Sequence, residues 1–537
     1  MIKKLLFLGF ILCQFISYSQ EDAWVYLTDK ENVTFAIQNP QTILTEQAIN
    51  RKSAHGIAID ERDVPVNENY IAQLKLQSGI TVLAKSKWFN AVHVRGSEMD
   101  INALLDLSFV DSIEFADQSL NSESRLAQQT NKHNEEATLE NFNYGSTSNQ
   151  VEMIGVDDLH IADYTGEGII VAVIDAGFPN VNTMEAFQRL RDNGNLLDGY
   201  DFVNRTTDIY AYTANSHGTR VLSTMAAFVQ DEYVGTAPDA SYYIFRTEDA
   251  ATENPVEESY WVEAVERADS LGVHIINSSL GYTTYDNPNY SYTPDDMNGG
   301  TAFITRGANI ANEKGILVVN SAGNSGNGTW QIVGAPADSA GVLSIGAVNA
   351  DGTYASFSSR GNATQPTQKP DVVARGASAS VISETNTIVG NSGTSFSSPI
   401  LAGGIASLWQ ALPNATAEEI KQYVRMSASQ YTTPDFFLGY GIPNLQLALE
   451  IGLALQEEEI LEANVFPNPV NDVLHIKVPS EAENVSFIIF DVLGNRVLEK
   501  PLFSTDEVLN MSNLASGLYI LQIKSTVESK TIKLIKS

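Results

Sequence analysis

Acidic side chains outnumber basic ones 65 to 32 in this 537-residue chain, and the formal net charge of −33 repels phosphate backbones and anionic bilayer surfaces, which excludes nucleic-acid and membrane-surface partners. The length passes the roughly 250–300 residues at which a single core stops growing, so more than one domain is expected. The single cysteine, Cys13, lies near the start of the chain and leaves nothing to form a disulfide, so stability outside a cell has to come from packing or bound ions.

Met1 to Lys4 carry charge, Leu5 to Ile16 form an apolar run, and Ser17-Tyr18-Ser19 follow as small or polar residues. This is the three-part pattern of a signal peptide over residues 1–19, and it implies export. The run falls short of the roughly 20 apolar residues that span a bilayer, so the mature form is read as not membrane-spanning. Residues 20–117 then combine a strand at Trp24-Val25-Tyr26-Leu27, a helix near Glu46 to Lys52 and alternation at Val92 and Val94, which predicts a small α+β unit. Residues 118–144 are rich in Gln, Asn, Ser and Glu and read as an exposed linker.

From 145 to 455 the texture changes. Gly168 to Ile174 is an uninterrupted apolar run, and similar runs recur at Tyr242 to Phe245, Val273 to Ile276, Ile316 to Val319 and Val342 to Val348, with helical patterns at Trp261 to Leu271 and Ala302 to Lys314 between them. Strands buried on both faces and separated by helices predict an α/β domain, a doubly wound and mostly parallel sheet whose ligand crevice lies beyond the strand carboxyl ends. Asp175 and Asn277 come directly after two of these runs. Residues 456–537 return to β patterning, with alternation at Val473 to Val478, a run at Phe487 to Phe490, turn residues Gly494-Asn495 and closing strands at Gly517 to Ile523 and Thr531 to Ile535. A small antiparallel β-sandwich is expected there.

Three strings carry chemistry: Val173-Ile174-Asp175-Ala176-Gly177, His217-Gly218-Thr219 and Gly393-Thr394-Ser395-Phe396-Ser397-Ser398-Pro399. A serine hydroxyl is a weak nucleophile until an imidazole takes its proton, and the imidazole needs a carboxylate to orient it. Val221, Met225 and Phe228 share a face with His217, which predicts a helix opening at that histidine. Ser395 precedes Pro399 and the small residues Ala402, Gly403, Gly404 and Ala406, so it is expected to cap or open a buried helix, with Pro399 in the first turn, where unpaired amides favour an oxyanion.

The order Asp, His, Ser and the three frames resemble the subtilase family of serine proteases. The Ser-Glu-Asp acid peptidases share Gly-Thr-Ser, but His-Gly-Thr argues against them. The resemblance implies Asp175, His217 and Ser395 as a catalytic triad and Asn324, in Ser321-Ala322-Gly323-Asn324, as a side-chain oxyanion donor beside the Ser395 amide. It further implies Ser279-Leu280-Gly281 and Gly323 as a substrate-binding edge that takes a peptide as an added strand, and Gly334 as the floor of a first specificity pocket with room for a large apolar side chain. Two positions depart from the family pattern: Ala176 stands where Ser or Thr is usual, and Phe396-Ser397 where Met-Ala is usual. No cofactor is implied for the chemistry. A structural calcium is allowed for, but its ligands are unassigned, and Asp295-Asp296 read first as a solvated acidic loop.

Residues 20–117 occupy the place of a subtilase propeptide. Phe466-Pro467-Asn468-Pro469, Phe490 to Gly494, Leu514 to Tyr519 and the basic end Lys530 to Lys536 resemble the type IX secretion sorting domain of Bacteroidetes. The expected protein is therefore a secreted or cell-surface subtilisin-like endopeptidase acting on proteins or peptides and handled by the type IX machinery. The alternative is a catalytically inactive surface protein that keeps the fold for binding.

Overall fold

The computed structural model describes residues 20–121, 142–459, 464–478, 485–491, 496–501, 506–524 and 529–537. The leader over 1–19, with Cys13, most of the expected linker and the Gly494-Asn495 turn lie outside the described residues. The chain divides into two compact units, Met1–Leu449 and Glu450–Ser537.

In the first unit, strands β1 (Gln20–Leu27), β2 (Thr81–Ser86), β3 (Ala91–Ser97) and β4 (Val110–Phe115) form an antiparallel sheet in the order β2-β3-β1-β4. Helix α1 (Glu46–Ala54) opens on Thr45, whose hydroxyl accepts from the Ala48 amide. Val92 and Val94 sit in β3 as expected, yet β3 is buried on both faces apart from Arg95. One face covers the sheet's own core of Val25, Ile71 and Ile101. The other faces helices of the larger domain, where Trp24 stacks on Phe303 at 4.5 Å and donates from Nε1 to Ser259 Oγ at 2.7 Å.

The larger sheet has seven strands, β5 (Ile170–Asp175), β6 (Leu196–Asp201), β7 (Ser241–Arg246), β8 (Ile275–Ser278), β9 (Leu317–Ser321), β10 (Leu343–Val348) and β11 (Val372–Arg375), in the order β11-β10-β9-β8-β5-β7-β6. Every pairing is parallel. The strand order reverses at β5, with later strands added on both sides of it, and a ligand crevice forms beyond the strand ends at such a switch point. All six residues of β5 are buried, which is what its unbroken apolar run requires. Five of the seven strands were anticipated. The edge strands escape, β6 because Leu196 to Asp201 interleaves Asp198, Gly199 and Asp201 with its apolar residues, and β11 because its apolar run, Val372 to Ala374, is only three residues long between Asp371 and Arg375. Asn277 lies within β8 rather than after it, because the strand runs two residues past its apolar stretch.

Four helices matter for the site. These are α2 (His217–Ala226), α3 (Val256–Leu271), α4 (Phe303–Glu313) and α5 (Thr394–Ala411). The last is buried along nearly its whole length, which its small residues permit: a Cβ on Gly403 would sit 2.1 Å from Thr236 Oγ1 and one on Gly404 2.5 Å from Leu445. Helices α3 and α4 carry the N-terminal sheet. Glu266 on α3 accepts from Ser86 Oγ at 2.5 Å, Lys87 N at 2.9 Å and Trp88 N at 3.0 Å. Asp269, buried at the end of α3, pairs with Arg51 at 2.6 Å and Lys52 at 2.9 Å, while Lys314 beyond α4 pairs with Asp63 at 2.8 Å. Breaking one partner of such buried pairs leaves an uncompensated charge, so this docking is specific as well as extensive.

The second unit holds two antiparallel sheets, one of strands 464–466, 473–477 and 506–510, the other of strands 486–491, 496–501, 517–524 and 529–536. Val470, Leu474, Phe487, Leu509, Leu521 and Leu534 form its own core. The helix Leu445–Glu459 carries the run Glu457-Glu458-Glu459, four residues beyond the amphipathic stretch read from sequence.

Candidate active site

Asp175 is the last residue of β5 and is fully buried. Its Oδ1 accepts from His217 Nδ1 at 2.7 Å and from the Ala176 amide at 2.7 Å. Its Oδ2 is buried without a hydrogen-bond partner among the described residues. Ala176 brings no hydroxyl to that oxygen, which gives the departure from the family pattern a physical consequence.

His217 opens α2 as predicted. Asn215 Oδ1 accepts from the His217 amide at 2.9 Å, and Thr219 Oγ1 donates to the Pro179 carbonyl at 2.9 Å, pinning the helix start to the segment after β5. Gly218 is required by close approach, since a Cβ there would fall 2.7 Å from the Gly177 carbonyl oxygen. Burial disfavours the imidazolium, but the charge and hydrogen bond of Asp175 outweigh it and hold His217 above its ordinary pKa. Glu248, just past β7, adds to that field. Burial pushes its carboxyl up to about 7 against the hydroxyls of Tyr282, at 2.6 Å, and Thr247, at 2.8 Å.

Ser395 is the second residue of α5 and is nearly buried. The Phe396 ring lies 5.8 Å from the His217 ring, which sets the start of α5 beside the imidazole. No hydrogen bond joins His217 to Ser395 among the described residues, and such contacts commonly tighten only when substrate binds. Pro399 is the sixth residue of α5, not part of its first turn, because the helix begins at Thr394.

A cavity of about 160 Å³ collects most of the remaining expected residues: Ser279, Leu280, Gly281, Gly323, Asn324, Gly334 and Ser395. Asn324 Oδ1 accepts from Thr394 N at 2.8 Å and from Thr394 Oγ1 at 3.1 Å, so its Nδ2 is the end left to donate. The Ser395 amide, in the first turn of α5, likewise has no acceptor among the described residues. Gly323 has φ +101°, and a Cβ there would come 2.9 Å from Ser359 Oγ, so this loop needs glycine next to Asn324. Gly334 stands against Thr283, with room for no Cβ. The walls carry the hydroxyls of Thr283, Ser321, Ser325 and Ser359 beside Ala322, Trp330 and Ile332, and no charged side chain. Asp296 is engaged elsewhere, its Oδ2 accepting from Thr293 N and Oγ1, both at 2.7 Å, as a helix cap. Among the described residues no group of three or more His, Cys, Asp or Glu side chains is placed to hold a metal.

Residues 166–441 match the model of the subtilase family. The chain belongs to the subtilase family. Ahead of this subtilase domain, residues 22–135 match the peptidase S8 propeptide domain of Bacteroidota, and behind it residues 464–537 match the secretion system C-terminal sorting domain. Subtilisin E of Bacillus subtilis (strain 168) is 31% identical over 302 residues, covering 56% of this chain and 70% of that protein. The subtilisin of Bacillus pumilus is 30% identical over 302 residues, 56% of this chain and 98% of that protein. The thermostable alkaline protease of Halalkalibacterium halodurans is 29% identical over 288 residues, 53% of this chain and 69% of that protein. This subtilase is a serine-type endopeptidase with peptide substrates. Its sorting domain marks it for type IX secretion to the cell surface or beyond, and no helix among the described residues is long and apolar enough to cross a membrane.

Sequence reasoning missed several contributors: Asn215, Thr394 as the anchor of Asn324, and Glu248. The Asn-Ser-His and Gly-Thr-Ser frames contained two of these signals. Glu248 had none, since it reaches the site by burial behind Tyr282.

Proposed function

We propose that the site hydrolyses peptide bonds through an acyl-enzyme. His217, oriented by Asp175, takes the Ser395 proton; Ser395 Oγ attacks the scissile carbonyl; the Ser395 amide and Asn324 Nδ2 hold the oxyanion; and His217 then protonates the leaving amine. Water repeats the attack on the ester. The observation that carries this reading is the pair of unused donors, Ser395 N–H and Asn324 Nδ2, at the cavity that Ser395 itself lines. The segment Ser279-Leu280-Gly281 would pair with the substrate backbone, with Gly323 and Gly334 framing the pocket for its side chain. Side chains and amides fill every chemical role, so no cofactor takes part, and any bound calcium would serve stability.

In this reading residues 20–117 restrain the catalytic domain of 145–455 until they are cut away through 118–144, and 456–537 are read by the export machinery. Nothing in the site favours the alternative of an inactive binding protein. A fluorophosphonate probe should label the mature protein at Ser395 and leave Ser395→Ala unlabelled. Equal labelling of both, or of neither, would end this reading.

The restraint should also be pH-dependent. Burial pushes Glu266 up to about 7, against Lys87 and its three donors from the N-terminal sheet, while Lys30 lies close enough to feel its charge. A carboxyl raised on folding stabilises the folded state below its unfolded pKa and loses that contribution as pH rises through the folded value. In the intact Ser395→Ala chain, Glu266→Gln should therefore gain stability relative to Glu266 by about 2–3 kcal/mol between pH 5 and pH 8. Denaturant midpoints of the two chains at both pH values measure this, and an offset that does not change with pH would contradict it.

A further inference from the structure

Pro399 creates a need that the rest of the fold answers. In an α-helix the amide of residue 399 would donate to the carbonyl of residue 395, but proline has no N–H, so the carbonyl of Ser395 loses its helical donor. Ser279 Oγ donates to it instead, at 2.9 Å. Asn277 Nδ2 donates to Ser279 Oγ at 3.3 Å, and Ser398 Oγ donates to Asn277 Oδ1 at 3.0 Å. Asn277 and Ser398 are fully buried and Ser279 is 6% exposed, so water does not compete for these bonds. Ser398 Oγ starts the path as a donor, Ser279 Oγ accepts one bond and donates the next, and the path returns to the helix three residues from where it began.

Its anchor lies on the sheet. Asn277 stands opposite Val173 in the β8–β5 pairing, two residues before Asp175. The relay thus ties the backbone of Ser395 to the strand adjoining the one that carries Asp175, and so to the His217 that Asp175 holds. A backbone free to shift at Ser395 would move its Oγ and its amide together, disturbing both the attack and the oxyanion contact.

We infer that Ser398, Asn277 and Ser279 form a positioning relay that fixes the nucleophile's backbone, made necessary by Pro399, and that Ser279 does this in addition to lining the substrate cavity. The inference rests on Ser395 being the nucleophile, which the probe experiment tests separately.

The test uses the full chain after maturation, with kcat and KM for a chromogenic peptide measured per site titrated by fluorophosphonate. Ser279→Ala should lower kcat by about tenfold and Ser398→Ala, which lies outside the cavity, by about threefold, both with KM within about twofold of the parent. Pro399→Ala restores the helical donor, so in that background Ser279→Ala should cost less than about twofold. An equal loss in both backgrounds, or losses confined to KM, would overturn the relay. Should Pro399→Ala fail to mature, Ser279→Thr against Ser279→Val decides: the hydroxyl of Thr should keep kcat within about twofold of the parent while Val loses it, and equal rates for the two would overturn the relay. Loss of probe labelling in Ser395→Ala together with unchanged kcat in Ser279→Ala and Ser398→Ala would reject the relay while leaving the catalytic reading intact.

Discussion

Replacing Asp175 by Asn is expected to lower kcat by about 10⁴-fold and to move the acid limb of kcat/KM to lower pH. Both effects follow from losing one carboxylate. Oδ1 receives the His217 Nδ1 proton and the Ala176 amide together, so an asparagine oxygen would be drawn to the same place and its NH₂ driven to the Oδ2 position. That position is buried with no acceptor among the described residues, so the substitution either leaves two donors unpaired or rotates the amide to offer His217 the wrong tautomer. The carboxylate charge disappears as well. His217 stands above its ordinary pKa because Asp175 outweighs the penalty of burial; without that charge burial dominates and the imidazolium becomes harder to form. The base is active when neutral, so activity rises with pH through the His217 pKa, and lowering that pKa carries the rising limb to lower pH. Glu248 leaves a residual field, which makes the displacement smaller in Asp175→Asn than in the variant that also carries Glu248→Gln. Rate profiles from pH 5 to 9 for the three proteins check this. A loss below about a hundredfold, or a limb that stays in place, would mean that Asp175 does not set the state of His217.

How far the site could be read from sequence depended on how local each interaction is. The strand that ends in Asp175 was legible because a strand buried on both faces needs an unbroken apolar run, and the helix at His217 because Val221 and Met225 repeat on its buried face. Edge strand β6 was not, since a half-covered strand tolerates Asp198 and Gly199 and so loses the apolar signature. The sequence alone starts the Pro399 helix one or two residues late, at Ser395 or just after it, because the observed start at Thr394 depends on Asn324, 70 residues away, taking the Thr394 amide. The character of the cavity wall leaves no local signal for a similar reason. Gly334 suggested space, whereas the polarity of that space comes from Thr283, Ser321, Ser325 and Ser359, which reach it from three other segments. Contacts between Glu266 and the N-terminal sheet, or between Asp269 and Arg51, span more than 170 residues and leave no local pattern at all.

Asn324→Ala should lower kcat by about 10²–10³-fold with little change in KM, the loss known for removing one such donor in subtilisin. The split between the two constants follows from geometry. Asn324 Oδ1 is held by two donors of Thr394, which fixes the amide plane before substrate arrives and leaves Nδ2 to meet a charge that forms only during the reaction. An interaction made mainly in the transition state appears in kcat, whereas one made equally with bound substrate appears in KM. The same anchoring predicts an order among variants. Thr394→Val removes the 3.1 Å hydroxyl bond but keeps the 2.8 Å backbone one, so Asn324 stays oriented and the loss should be only a few-fold. Asn324→Asp keeps both anchors but sets a carboxylate oxygen where the donor was, next to the developing oxyanion, so it should be slower than Asn324→Ala despite being nearly isosteric with the parent. Steady-state kinetics on a single peptide substrate rank the three. If Asn324→Asp outpaces Asn324→Ala, or if Asn324→Ala falls within about threefold of the parent, the oxyanion is held by other groups, and the Ser395 amide at the start of α5 becomes its principal donor.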